Sequence, residues 1–135
     1  MNTPDKVSFA EFIRSRIASF GYAFEGWWHV IRTQQNAWVH TAATIFAAGL
    51  GLYLQINRRD WALVILAVAM VWSAEFFNTA LEAIVDLTSE SVQHDLAKVS
   101  KDVGAAAVLI AAGAAALIGF LIFGPPLWVK ITSWF

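Results

Sequence analysis

Three apolar runs, each long enough to be a bilayer-spanning helix, leave this chain little choice of fold. They cover residues 37–56, 61–86 and 103–123. At about 1.5 Å per residue the first reaches about 30 Å, the depth of a hydrocarbon core. No water satisfies the backbone there, so each run is expected to be a transmembrane helix. Asn57, Arg58, Arg59 and Asp60 form a polar turn between the first two runs, and residues 87–100 read as a polar loop between the second and third. Gly124-Pro125-Pro126 is expected to end the third. With 59% hydrophobic residues over 135 positions, the chain has room for one membrane domain and none for a separate soluble one.

Residues 7–34 precede the first run and read as an amphipathic surface helix. Phe9, Phe12, Ile13, Ile17, Phe20, Phe24, Trp27, Trp28 and Ile31 recur at three- and four-residue steps, with Glu11, Arg14, Ser15, Glu25 and Arg32 mostly between them. Such a helix lies in the interface plane with its aromatic face in lipid. Trp27, Trp28, Trp38, Trp61, Trp128 and Trp134 fall at the ends of the apolar runs, as an aromatic belt does, while Trp72 is expected simply to pack. Nothing near the N-terminus has the pattern of a signal peptide. Placing the N-terminus and the 87–100 loop in the cytoplasm puts six Lys and Arg there against three opposite, the orientation the positive-inside rule favours. Gly104, Ala111, Ala112, Gly113, Ala116 and Gly119 make the third run small-surfaced. Close helix approach, and hence a homo-oligomer, is expected from it.

Several classes fall away. A net charge of −1 leaves no footprint for nucleic acid, and the absence of cysteine removes disulfides, thiolate nucleophiles and Cys-based zinc sites. No GxxxxGK phosphate loop is present.

What remains is a polar face inside the second run. Glu75, Asn78, Glu82 and Asp86 are three, four and four residues apart, within an arc of roughly 80° on a helix. Ionisable groups at such depth mark function by default. Stacked carboxylates repel when ionised, and a divalent cation or a basic partner relieves them. Lys98, Lys101 and Asp102 share a face just before the third run, and lysine meets phosphate as a point charge. Carboxylates with an amide oxygen suit Mg²⁺, which keeps one or two carboxylates and the phosphates of a substrate. A metal–nucleotide complex between the two sets is one reading. Others are structural pairing of carboxylates with lysines, and a proton or ion conduit along the Glu75–Asp86 stripe. His40, the sole titratable group of the first run, sits near its start, within reach of the headgroups.

ExxNTAxEAxVDL from Glu75, followed by HxLAKxxKDxGAAAVL from His94, resembles the signature of the small bacterial membrane kinases of diacylglycerol and undecaprenol. SFGYAFEGW from Ser19 resembles that family's surface-helix motif. HDLAKVSKDV and NAWVH (Asn36–His40) are closer to the undecaprenol kinase branch. The resemblance implies an all-α homotrimer in the cell membrane that transfers the γ-phosphate of ATP, with Mg²⁺, to a lipid alcohol, undecaprenol favoured. Glu75 corresponds to the catalytic base and Glu82 to a metal ligand. Tyr22, Asn78, Glu82, Asp86, Glu90, His94, Lys101 and Asp102 correspond to the nucleotide site. One place departs from the pattern: where the family has a glutamate as second metal ligand, this chain has Gln34. A neutral oxygen there implies a weaker hold on the metal, an intervening water, or a weakened kinase.

Overall fold

The computed structural model describes residues 8–88 and 95–134. Among them the chain is wholly helical, with no strand: α1 (Phe9–Thr33), α2 (Gln35–Leu54), α3 (Arg58–Thr88) and α4 (Asp95–Thr132). It divides after Thr33 into two compact units, α1 in the first and α2–α4 in the second. The latter three helices are each long and apolar enough to cross a membrane.

In the first unit, Ser8 opens α1. Its backbone N–H donates to the Glu11 carboxylate at 2.9 Å, the back-reaching half of a capping box. The α1 aromatics Phe9, Phe12, Phe20, Phe24, Trp27 and Trp28 are exposed. Arg16 lies over the Phe12 ring and Arg32 over the Trp28 ring, at 5.4 and 5.2 Å.

In the second unit, α2 and α3 form a tight hairpin. Gln55 turns left-handed (φ 53°, ψ 45°), its N–H bonds Leu52 O, and the Ile56 N–H bonds Gly51 O. That is a Schellman closure with glutamine where glycine is usual. Asn57 then caps α3: its side-chain oxygen accepts from the N–H groups of Arg59 (2.9 Å) and Asp60 (3.1 Å). A Cβ on Gly51 would stand 3.0 Å from the Trp61 ring and 3.2 Å from Ile56, so glycine lets the two arms close.

α3 lies most broadly against α4. The buried face of α3 runs through Val64, Ala67, Val71, Trp72, Glu75, Asn78 and Thr79 at helical spacing. It meets Gly104, Val108, Ala111 and Phe123 of α4. An apolar cavity of about 520 Å³ opens between the three helices, from His40 and Thr44 past Ala67 and Ala115 to Phe123.

The helices overrun the limits expected from composition. α3 continues to Thr88 and α4 begins at Asp95, so residues 95–100 of the expected loop are helical. Ala97, Lys98 and Lys101 are good helix formers, and Asp95 suits a first turn. α4 also passes through Pro125 and Pro126 to Thr132 rather than ending there. Proline's fixed φ is itself helical. The clash it causes on the preceding residue is eased at Gly124, which has no Cβ and space around it.

Candidate functional site

Glu75 sits on the packed face of α3 because the run of buried positions that includes Val71 and Asn78 passes through it. Its side chain is 0% exposed. An ionised carboxylate there is costly unless a partner faces it, and the partner is His40 of α2, whose Nε2 lies 3.5 Å from Oε2. His40 is turned inward at 11% exposure, which corrects the expectation that it reaches the headgroups. Trp72 meets the ring edge-on, with centroids 6.2 Å apart, and the Thr44 hydroxyl donates to the backbone carbonyl of His40 at 2.7 Å. Trp72 therefore packs as expected, and it also donates its indole N–H to Thr44 at 3.3 Å.

Two turns along the stripe, the Glu82 carboxylate receives an amide on each oxygen. Asn78 donates to Oε1 at 3.0 Å and Gln34 to Oε2 at 3.4 Å. The Gln34 backbone is extended ahead of α2 and its side chain makes no cap bond, which leaves the amide for Glu82. Asn78 Oδ1 is buried against Gly104 of α4, and any Cβ at 104 would collide with it. One further turn on, Asp86 pairs with Lys101 of α4 at 2.5 Å, both largely solvated. Lys98 and Asp102 are exposed beside that pair.

The structure thus gathers Gln34, Asn78 and Glu82 into one cluster, with Asp86–Lys101 one turn beyond and Glu75 deeper with His40. Tyr22 lies on α1 with its ring exposed, in the first unit. Glu90 and His94 lie outside the described residues. Two participants escaped the sequence reading, His40 as the partner of Glu75 and Gly104 as the floor under Asn78.

Among the described residues no three His, Asp or Glu side chains group tightly enough to hold a metal alone. Glu82 is one carboxylate, the kind of protein ligand Mg²⁺ takes beside substrate phosphates, while both amides present N–H groups to it. The Gln34 bond is the longer of the two amide bonds and the easier to exchange.

The family model for prokaryotic diacylglycerol kinase matches residues 21–123. The chain is 41% identical over 114 residues to a diacylglycerol kinase of Synechocystis sp., an alignment covering 82% of this chain and 63% of that protein. It is 37% identical over 109 residues to the undecaprenol kinase of Bacillus subtilis, covering 81% and 88% of the two chains. Identity to the diacylglycerol kinase of Escherichia coli K12 is 32% over 102 residues, covering 70% and 77%. The chain belongs to the prokaryotic diacylglycerol kinase family of lipid kinases.

Proposed function

We infer that the protein transfers the γ-phosphate of ATP to the hydroxyl of a membrane lipid alcohol, and that undecaprenol is the acceptor. The observation that carries this is the buried Glu75 carboxylate standing on one helix face with Asn78, Glu82 and Asp86. Glu75 takes the proton of the lipid hydroxyl as its oxygen attacks the γ-phosphorus. Asn78 fixes the Glu82 carboxylate by its side-chain N–H. Glu82, with the side-chain oxygen of Gln34 turned toward it, would hold Mg²⁺, and the ion would supply neutralisation of phosphate charge there. Asp86, Lys101 and Asp102 contact the nucleotide, and the family resemblance assigns Tyr22, Glu90 and His94 to it as well. Phosphoryl transfer asks chiefly for positioning and charge neutralisation, and these residue types supply both.

The same reading puts α1 in the membrane interface, supported by its exposed Phe and Trp side chains. α4 is rich in small residues, which let helices approach closely, and this supports a homotrimer with shared sites. The lysine and arginine balance supports a cell-membrane orientation with the N-terminus and the site cytoplasmic.

Undecaprenol is favoured by the NAWVH and HDLAKVSKDV segments and by the 88% coverage of the Bacillus protein. Diacylglycerol is the second reading, favoured by 41% identity to the Synechocystis protein. Reconstitution with labelled ATP, Mg²⁺ and each alcohol in turn tests both. Label in undecaprenyl phosphate is the expected result; label in diacylglycerol alone overturns the acceptor, and label in neither overturns the transfer.

A further inference from the structure

We propose that His40 is the positioning residue for Glu75: it aims the buried carboxylate, so that one oxygen is left for the acceptor hydroxyl. The inference rests on the reading of Glu75 as the base and adds a residue that the polar stripe of α3 does not contain.

Neither Glu75 oxygen has a hydrogen-bond partner among the described residues, and the side chain is fully buried. His40 Nε2 is likewise buried, without a hydrogen bond, and 3.5 Å from Oε2. Each group is therefore the other's outlet. A small inward shift, or a proton on Nε2, makes a charge-assisted bond of ordinary length. Trp72 walls the imidazole on one side, edge-on.

Nothing else nearby is built to do this. The buried face of α4, Gly104, Val108, Ala111 and Phe123, carries no ionisable group. Lys101, the α4 cation facing α3, is bound to Asp86 at the other end of the stripe. On α3 itself Glu82 is the neighbouring charge, repels Glu75, and is engaged by Asn78 and Gln34. Within α2, Tyr53 is the other titratable side chain, and it lies at the far end of the helix.

In the transfer the lipid O–H bond breaks and its proton goes to Glu75 Oε1. The oxygen bonds the γ-phosphorus, and the bond from that phosphorus to the β–γ bridging oxygen breaks, releasing ADP. His40 takes no proton in the step, and its Nε2 stays facing Oε2. Glu75 later sheds the acquired proton to water.

The test is the turnover of His40→Leu and His40→Gln beside the wild type, with kcat and KM for ATP read separately. In His40→Leu the carboxylate loses its donor, and kcat should fall about tenfold or more with KM for ATP unchanged. His40→Gln, which retains an N–H donor, should keep most of the rate. A wild-type kcat in His40→Leu overturns the proposal, as does a loss that is equal in both variants. Infrared difference spectra against Glu75→Gln, recorded in wild-type and His40→Leu backgrounds, give a second check. The Glu75 carboxyl bands should shift between the two backgrounds, and identical bands overturn the pairing. Wild-type turnover by Glu75→Gln would instead overturn the reading of Glu75 as base, which keeps the two failures apart.

Discussion

Gln34 and Glu82, 48 residues apart in sequence, meet side chain to side chain at 3.4 Å. The amide that precedes α2 is thereby brought to the middle of the polar face of α3. If Mg²⁺ is shared between them, Gln34→Glu adds a charged ligand, and ligand charge sets affinity at such sites. The half-saturating Mg²⁺ concentration should fall about tenfold, equivalent to about 1.4 kcal/mol. Without Mg²⁺ the same variant places two carboxylates face to face and should unfold at lower temperature. Titration of activity and of melting temperature with Mg²⁺ measures both. An unchanged Mg²⁺ dependence removes Gln34 from the metal site.

Gly104 is the floor beneath Asn78. In Gly104→Ala the new methyl collides with Asn78 Oδ1, and either α4 retreats or Asn78 turns away from Glu82. Overpacking of this kind costs about 1–3 kcal/mol. We expect reduced stability and a lower kcat. Adding Asn78→Ala should restore part of the lost stability but no activity, a coupling that a double-mutant cycle reads directly. Strict additivity of the two substitutions would separate them.

The Lys101–Asp86 pair is exposed on both sides, at 39% and 64%. Such pairs contribute about 0–1 kcal/mol to stability. Lys101→Met should therefore leave the melting temperature nearly unchanged while raising KM for ATP about tenfold, a loss of about 1.4 kcal/mol in nucleotide binding. Equal effects on melting and on KM would make the lysine structural.

Gln55 is the described non-glycine residue with positive φ. A side chain in that conformation costs about 1–2 kcal/mol, so Gln55→Gly should raise resistance to denaturant by roughly 0.5–1 kcal/mol, the remainder being offset by unfolded-chain entropy. Gly51→Ala, which presses a methyl on Trp61 at the hairpin, should act in the opposite direction. Unfolding curves in denaturing detergent separate the two.

Much of this architecture was legible from residues 37–123, because hydropathy and helical spacing carry it directly. Three spans and one polar face follow from length and from the steps between Glu75, Asn78, Glu82 and Asp86. The helix ends were less so. Polar composition at residues 95–100 reads as loop although Ala97, Lys98 and Lys101 favour helix, and prolines read as a stop although Gly124 lets the chain through. The His40–Glu75 pair was hidden by attention to one helix at a time. Counted from Asn57, His40 lies 17 residues before the hairpin and Glu75 lies 18 after it, so a tight antiparallel turn sets them at one level. Gln34 and Glu82, 23 before and 25 after, follow the same rule. The depth of a residue in a hairpin is written in its distance from the turn; which way its side chain faces is not.

The prolines of α4 have a mechanical consequence. A straight helix of 38 residues is about 57 Å long against a hydrocarbon core of about 30 Å, so α4 overshoots the bilayer. Pro125 and Pro126 remove the donors that would bond the Leu121 and Ile122 carbonyls, and both residues line a cleft shared with Gln55, Asn57 and Asp60. Two missing bonds in a row make this the stretch of α4 least held by its own backbone, while Lys130, 4.0 Å over the Tyr53 ring, ties the segment beyond it to α2. Bilayer mismatch is therefore expected to be taken up there, at the far end of the helices from the Glu75–His40 pair.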